Sequence, residues 1–457
     1  MKPNADSNLI NLHGIRFPNA WLYQHTLVTG STGTGKSHGI LKPLIRQLLA
    51  AHNDSPELRP AMVIFDIKGD LLPITRSALA QCGRQKDLIV VGIGNDEAVF
   101  NPLSDGLLTP TEIAQQLTLA ATISGQEASQ RTKTEELFWA SARTDLLTSL
   151  IELTQLSLRD SGLGPLSLEH LQRARGLLSQ SHSKLLNWVS VVAAGLSEAS
   201  GNALQEWAHL PDTTRCCVTS SVGNVLAPWT REPLCRLVNP DPKRPLLNLR
   251  DVVQLGKVVV INAAQSEHAE ELWPGCVMLK QALFRFALSR SRQSINQERM
   301  VAIIIDEATR LISSHNNFSS EHIALEMARS NKVAFILAAQ NLSGLTAISG
   351  DTLTDKLAAL CGNQIFLGNN CPATLRLAQR CFGDHLIFRR HRTLVPTLPA
   401  PQLFPEDDSK EQTSAQVTMV PVEVPVISAS TLSRMPTGAA RAKLVDGSVH
   451  KFQCTFD

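Results

Sequence analysis

Aromatic side chains are scarce in this chain. Its 457 residues include 14 phenylalanines, 6 tryptophans and a single tyrosine, together 5% of the sequence. Grooves that hold single-stranded nucleic acid by stacking present aromatic rings to successive bases. The scarcity argues against an extended base-stacking groove. We therefore expect any contact with nucleic acid to run through phosphates and to weaken with salt.

An excess of charge is also missing, because 43 basic side chains face 41 acidic ones and leave a formal net charge of +2. The whole molecule is therefore no general electrostatic attractor of nucleic acid, and any basic surface has to be local. Arg131, Lys133 and Arg143, in a helical stretch, are candidates for such a surface. A solvated helix face is the simpler explanation of the same residues.

Apolar runs long enough to span a bilayer are absent. The most apolar window, residues 272–289, contains Lys280 and Arg285 and predicts a core helix. Residues 1–6 lack the apolar segment of a signal peptide. The nine cysteines form no CxxC pair, which indicates reduced thiols rather than disulfides or a metal site. We expect a cytoplasmic protein.

The most informative stretch is a glycine-rich turn that follows an apolar strand and opens an apolar helix. Glycines let the backbone approach a phosphate closely, and the N–H groups and dipole at the helix start stabilise its charge. In such a loop the lysine reaches the β- and γ-phosphates, and the serine hydroxyl binds Mg²⁺. The sequence predicts a nucleoside triphosphate site at Gly30, Ser31, Thr32, Gly33, Thr34, Gly35, Lys36 and Ser37.

Further apolar strands alternate with helices along much of the chain. This alternation predicts an α/β fold, with a mainly parallel sheet covered by helices on both faces. The predicted strands after the loop are residues 61–66, 87–92, 257–262, 300–306, 332–340 and 364–368.

Between residues 109 and 229 the strand-like runs vanish and helical apolar spacing appears. We interpret this stretch as an all-α domain inserted into the α/β domain, with Phe138 and Trp139 in its core. A Pro-rich, charged linker is expected at 396–418, before a closing hairpin at 440–456. The predicted parts are 1–105 and 230–395 for the two halves of the α/β domain, 106–229 for the insert, and 396–457 for the linker and terminal strands.

Two adjacent carboxylates, Asp306 and Glu307, follow a buried strand. An aspartate at a strand end can hold Mg²⁺ through water, and the glutamate beside it can act as the general base. Alone, the pair could be a solvated strand end; beside the phosphate loop we predict a catalytic pair.

Gln340 ends the next strand, which should lie between the carboxylate strand and the loop strand. We expect the Gln340 side chain to orient water or to sense the γ-phosphate. The alternative is that its amide only caps the turn at the end of the strand.

Three other charged residues have open roles. Arg329 lies eleven residues before Gln340 at a predicted helix end, where it is either an arginine finger acting across a subunit boundary or a favourable helix-dipole partner. Asp66, which ends a strand, and Lys68 are either near the nucleotide or an ion pair that holds the turn. Of the two, we count Asp66 among the nucleotide-binding residues.

Taken together, these motifs resemble the TraG/TraD family of type IV secretion coupling proteins, the ATPases of bacterial conjugation. The resemblance covers roughly residues 20–395. It is carried by the segments 30–37, 63–70, 100–103, 138–142, 256–262, 303–307, 328–330 and 338–343.

The resemblance implies a RecA-like P-loop NTPase with an inserted all-α domain, assembled as a ring hexamer with ATP and Mg²⁺ between subunits. It implies a motor that passes DNA, usually single-stranded and bound to a relaxase, toward a secretion channel. The resemblance also implies that the family's nucleotide-binding and hydrolytic roles belong here to Lys36, Ser37, Asp306, Glu307, Arg329 and Gln340.

One feature departs from the family, whose members usually begin with a transmembrane region. Here the loop starts at residue 30, so we expect contact with the bacterial inner membrane only through partners. Two alternatives stay open: a soluble HerA/FtsK-like DNA motor used in plasmid maintenance or defence, and an ATP-gated adaptor that recruits protein substrates.

Overall fold

A computed structural model describes most of the chain. The described residues are 9–104, 108–123, 133–162, 164–178, 182–265, 269–290, 298–312, 321–396 and 413–456. Their strands are β1 (Leu9–Leu12), β2 (Ile15–Pro18), β3 (Thr26–Thr29), β4 (Ala61–Asp66), β5 (Leu88–Val91), β6 (Val258–Asn262), β7 (Val301–Ile305), β8 (Val333–Ala339), β9 (Asn363–Leu367), β10 (Asp384–Pro396), β11 (Thr413–Pro425), β12 (Ala439–Lys443) and β13 (Val449–Gln453).

The helices cover the sheet and fill the segments between its strands. They are α1 (Lys42–Ala50), α2 (Leu71–Gln81), α3 (Pro110–Ile123), α4 (Lys133–Ser161), α5 (Leu168–Leu177), α6 (His182–Ala193), α7 (Glu198–His209), α8 (Asp212–Leu226), α9 (Leu234–Val238), α10 (Leu249–Leu255), α11 (Trp273–Ser289), α12 (Glu321–Ala328), α13 (Leu342–Leu360), α14 (Pro372–Phe382) and α15 (Ala429–Ser433).

Nine strands form one sheet in the order β13-β12-β9-β3-β8-β7-β4-β6-β5. The strands from β9 to β5 are parallel, whereas β12 runs antiparallel to both β9 and β13. The α/β class with a mainly parallel sheet is therefore confirmed. The strand β8, which precedes Gln340, lies between β3 and β7, as the sequence predicted.

Apolar side chains leave the central strands toward both faces of the sheet. Along β4, Val63 and Phe65 join one core cluster, and Met62 and Ile64 join the other. Successive side chains of a strand point to opposite faces, so a strand covered on both sides has to be apolar throughout. This is the physical reason that these strands were readable from composition.

Between β5 and β6 the described chain is helical, from α3 to α10. Leu146 and Leu150 of α4 are buried in the cluster that also covers one face of the sheet. The expectation that Phe138 belongs to the core is wrong, since its side chain is 51% exposed, whereas Trp139 packs partly buried against the cluster. The helix α7 was not predicted. The domain boundaries drawn above stay a prediction.

A long antiparallel ribbon follows α14, with β10 paired to β11 from Asp384↔Pro425 to Pro396↔Thr413. The expected linker at 396–418 is therefore wrong at both of its ends, because residue 396 belongs to β10 and residues 413–418 belong to β11. Residues 397–412 lie outside the described part of the chain. The predicted closing hairpin is confirmed as β12 and β13. No helix in the described ranges combines the length and apolar character needed to cross a bilayer.

Candidate nucleotide site

The glycine-rich loop connects β3 to a π-helical turn, Lys36–Leu41, which continues as α1. Gly33 and Gly35 have φ of +77° and +105°, a region that side chains with a Cβ rarely adopt. A Cβ on Gly30 would lie 2.8 Å from Leu367 of the adjacent strand β9. The glycine spacing is thus required by the backbone path of the loop.

The side chain of Lys36 is buried inside this loop. Its Nζ donates hydrogen bonds to the carbonyl oxygens of Gly30 (2.5 Å) and Ser31 (3.1 Å). Burial, with the nearby charge of Lys68, lowers the pKa of Lys36 to about 8. A bound phosphate would offer this ammonium a better partner than two carbonyl groups, because the hydrogen bond would be assisted by charge.

Ser37 and Asp306 face each other at the mouth of the loop, with the Ser37 Oγ 3.3 Å and 3.5 Å from the carboxylate oxygens. Asp306 follows β7 and is fully buried. Burial raises its pKa, and the positive charge of Lys68 opposes that shift. A hydroxyl and a carboxylate are the oxygen ligands that suit Mg²⁺, so these two residues fit the ion and would hold it against the phosphates.

Glu307 is held in an unusual conformation beside this pair. Its φ of +70° is left-handed, which costs a non-glycine residue about 1–3 kcal/mol. Its Oε2 accepts hydrogen bonds from Lys68 Nζ at 2.6 Å and from Gln340 Nε2 at 3.2 Å. The carboxylate thus contacts Gln340 at the end of β8, the strand that lies between β7 and the loop strand β3.

The charge state of Glu307 follows from these contacts. Burial works to raise its pKa, but the hydrogen bond and charge of Lys68, together with the hydrogen bond from Gln340, outweigh burial and lower it. Glu307 is therefore ionised at neutral pH and able to accept a proton from water.

Lys68 is a site residue whose role the sequence left undecided. The alternative that it pairs with Asp66 is wrong, because Lys68 contacts Glu307 and also lies 3.9 Å from Asp306. Lys68 follows β4, and β4 pairs with β7, so the chain after β4 emerges next to the two carboxylates. Strand order, which the sequence did not reveal for β4, decides this contact.

Asp66 is fully buried at the end of β4. Its carboxylate accepts hydrogen bonds from the backbone N–H groups of Gly69, Leu71 and Leu72 at 2.8 to 3.0 Å. These contacts satisfy free donors at the start of α2. The contacts of Asp66 are those of a residue that shapes the turn, and its predicted place among the nucleotide-binding residues stays a prediction.

Arg329 is exposed at the opposite edge of the sheet. It begins the 3₁₀ turn Arg329–Asn331, which Lys332 alone separates from the start of β8, whereas the loop lies where the parallel strands end. The seven residues of β8 span roughly 23 Å at about 3.3 Å per residue. Arg329 is thus outside the site of its own chain. Its place directly after α12 fits the helix-dipole alternative, and the arginine finger across a subunit boundary stays a prediction.

Asn369 is a further residue that the sequence reading missed. It is buried, and its Nδ2 donates to the carbonyl oxygen of Gln340 at 2.7 Å. Its Oδ1 accepts from the N–H of Cys371. The available signal was its place after an apolar strand, the same pattern that marked Gln340.

Arg143, one of the candidate basic contacts, is buried, and its guanidinium donates to the Ser221 Oγ at 3.4 Å. It is therefore a contact within the helical region, and neither a surface ligand nor a solvated helix face. Arg131 and the side chain of Lys133 lie outside the described residues.

Residues 8–390 of the chain match a protein family described as type IV secretory system conjugative DNA transfer. The chain belongs to this family. The predicted relationship to conjugative coupling proteins is confirmed by this match, which covers the loop, the helical segment and the strands that precede Asp306 and Gln340. No curated protein sequence is significantly similar to the chain.

Solved structures with the same fold include the bacterial conjugative coupling protein TrwB lacking 70 N-terminal residues. It is 18% identical, with a TM-score of 0.66 over 100% of this chain and 89% of that chain. TrwB in complex with ADP and Mg²⁺ matches with 17% identity and a TM-score of 0.64, covering 100% of this chain and 91% of that one. VirB4 of Thermoanaerobacter pseudethanolicus is 10% identical, with a TM-score of 0.51 over 99% and 97% of the chains. These likenesses confirm the RecA-like fold.

Proposed function

We propose that this member of the conjugative DNA transfer family is an ATP-hydrolysing motor that moves DNA, or DNA bound to a relaxase, toward a type IV secretion channel. Glu307 carries the proposal for hydrolysis. A glutamate held in a costly backbone conformation and ionised by Lys68 is poised to activate water at the loop.

The loop and the two carboxylates supply the parts that phosphoryl transfer needs. Lys36 and the loop N–H groups would neutralise the phosphates, and Ser37 with Asp306 would hold Mg²⁺, which polarises the phosphoryl oxygens when bound. Gln340 and Lys68 orient Glu307. The related TrwB has been solved with ADP and Mg²⁺, which supports the same ligands here.

A ring of subunits completes the site. Lys36, buried in the loop, and Lys68, which contacts Glu307, are the cations that the described contacts place at this site. Arg329 is exposed at the other edge of the sheet. We therefore infer that Arg329 of one subunit reaches the nucleotide of the next, as expected for a hexamer with ATP at its interfaces. An arginine finger is typically worth about 10³–10⁵ in rate.

DNA, relaxase and channel proteins are the partners that we infer, and contact with the inner membrane would run through them. The sparse aromatics favour phosphate contacts over base stacking. Because the net charge is only +2, the basic surface that makes these contacts has to be local. DNA binding should then fall steeply as salt increases.

The test is the ATPase rate of the purified chain with and without single-stranded DNA. We expect DNA to raise the rate, the stimulation to fall between low and physiological salt, and Lys36→Ala to abolish turnover in every condition. If DNA changes neither the ATPase rate nor the oligomeric state of the wild type, the proposal of a DNA motor is contradicted. That result would favour an adaptor for protein substrates.

A further inference from the structure

The aromatic ring of Phe456 lies against the phosphate loop in a notch lined by three glycines. A Cβ on Gly35 would lie 2.9 Å from the ring, one on Gly438 would lie 2.8 Å from it, and one on Gly39 would lie 3.6 Å from it. The ring therefore touches the loop backbone at positions where most residues would exclude it.

Two further contacts hold the segment 454–456 at this place. The Cys454 N–H donates to the Gly438 carbonyl at 2.8 Å, and the Gly438 N–H donates to the carbonyl of Thr34 in the loop at 2.9 Å. The Thr455 N–H donates to His13 Nδ1, and the His13 Nε2–H donates to the Gly39 carbonyl at 2.5 Å. Segment 454–456 is thus fastened to both the loop and its helix.

Sheet order shows which end of a nucleotide would lie here. On one side of the loop strand β3 come β8 and β7, with Gln340, Asp306 and Glu307, so the γ-phosphate belongs on that side. On the other side come β9, β12 and β13, and segment 454–456 leaves the end of β13. The nucleoside is the opposite end of a triphosphate from the γ-phosphate, so it leaves the loop on the side of Phe456.

We propose that the ring of Phe456 is a stacking wall for the base of the bound nucleotide. This rests on the proposed function and adds the residue that holds the base. The residue Phe456 is 49% exposed although one side of its ring is packed on the glycines. A ring that merely filled the notch would hide most of its surface, whereas a stacking wall keeps one face available.

Stacking recognises a flat aromatic base and reads no hydrogen-bonding edge. A wall of this kind therefore predicts that ATP and GTP bind with similar affinity. It also predicts that the ring contributes nothing to the binding of the phosphates themselves.

The experiment measures binding of ATP and of inorganic tripolyphosphate, both with Mg²⁺, by calorimetry on the full chain. Phe456→Ala should weaken ATP about tenfold or more, the range seen when a stacking aromatic is truncated, and leave tripolyphosphate unchanged. Phe456→Trp should retain ATP affinity. Phe138→Ala removes an equally exposed ring from α4 and should change neither ligand.

Unchanged tripolyphosphate binding also reports that the variant loop is folded. Equal weakening of both ligands by Phe456→Ala would show that the ring only braces the loop, and unchanged ATP affinity would show that it touches no base; either result overturns the inference. If the wild type binds tripolyphosphate but not ATP, the proposed function itself fails.

Discussion

At the scale of single residues, the site is assembled around the carboxylate of Glu307. Its left-handed φ is maintained because Lys68 and Gln340 both hold Oε2 and Thr309 lies 3.5 Å from Oε1. Lys68 and Gln340 follow the strands β4 and β8, whereas Thr309 belongs to the turn that Glu307 begins. The strained residue is therefore held both by its own turn and by segments distant in sequence.

Glu307→Gln should abolish ATP turnover while ATP still binds. The amide keeps the size of the side chain and its contact with Gln340 but cannot accept a proton, and loss of a general base costs about 10²–10⁴ in rate. The measurement is steady-state hydrolysis together with calorimetric binding of ATP. Normal turnover by the glutamine variant would contradict the assignment of the base.

Lys68→Ala should move the acidic limb of the pH–rate profile to higher pH. Lys68 lowers the pKa of Glu307, so removing the ammonium raises that pKa, and more alkaline solution is then needed to ionise the base. Lys86→Ala, at an exposed lysine after α2, is the matched control and should leave the profile unchanged. A profile that does not shift in Lys68→Ala would argue against coupling between the two side chains.

At the scale of elements, the loop strand β3 is positioned by the residue before it. His25 is buried; its Nδ1 accepts from the Phe335 N–H of β8, and its Nε2–H donates to the Leu325 carbonyl of α12. Burial lowers the pKa of His25 to about 4. The neutral imidazole thus connects three elements at the base of the site.

This histidine predicts a pH dependence of stability. Between its unfolded pKa of about 6.5 and its folded pKa of about 4, the unfolded chain binds the extra proton. Stability should therefore fall as pH falls through this window, by about 1.4 kcal/mol per pH unit. The measurement is urea unfolding at pH 7 and pH 5. His25→Asn should show a smaller loss over the same interval, and an equal loss would contradict the assignment.

The helical turn that follows the loop packs closely against segment 454–456, which follows β13. A Cβ on Gly39 would lie 2.6 Å from the Cys454 Sγ, so Gly39→Ala should destabilise the fold by about 1–3 kcal/mol and weaken nucleotide binding. Gly176→Ala, at an open helical position, should be neutral or stabilising by up to about 1 kcal/mol. Denaturant melts of the two variants check this pair, and equal stabilities would show that the contact at Gly39 yields without cost.

At the scale of the whole molecule, the role proposed for Arg329 needs more than one chain. Lys36 and Glu307 lie at the edge where the parallel strands end, and Arg329 lies where they begin. A single chain cannot bring both edges to one phosphate. A ring in which each chain faces the next can.

Mixing two inactive variants tests this arrangement. Lys36→Ala and Arg329→Ala should each lose turnover, and their equimolar mixture should recover part of it, because a site can then combine an intact loop with an intact arginine from its neighbour. A mixture of Lys36→Ala with Glu307→Gln should stay inactive, since both residues belong to the same site. Absence of recovery in the first mixture would contradict the role across subunits.

Much of this protein was readable without coordinates, because the relevant patterns are local. The loop is a run of eight residues, and strands buried on both faces are continuous apolar runs whose polar ends mark the edge of the sheet. Asp306, Glu307 and Gln340 were found in this way, and the structure brings them together beside Lys36. The misjudged residues lacked such a pattern: Phe138 lies on an apolar-looking helix face that remains half exposed.

The contacts that only the folded chain decides are those between segments distant in sequence. Lys68 contacts Glu307 because β4 pairs with β7. Asn369 contacts Gln340 because β9 and β8, the strands that precede them, both pair with β3. Phe456 lies against Gly35 because β13 runs in the same direction as β3 and so ends at the same edge of the sheet as the loop. Local periodicity identifies a strand and its ends, but it does not show which other strand pairs with it in the sheet. Strand order is set by packing of the whole sheet, and in this protein it determines which charges act together.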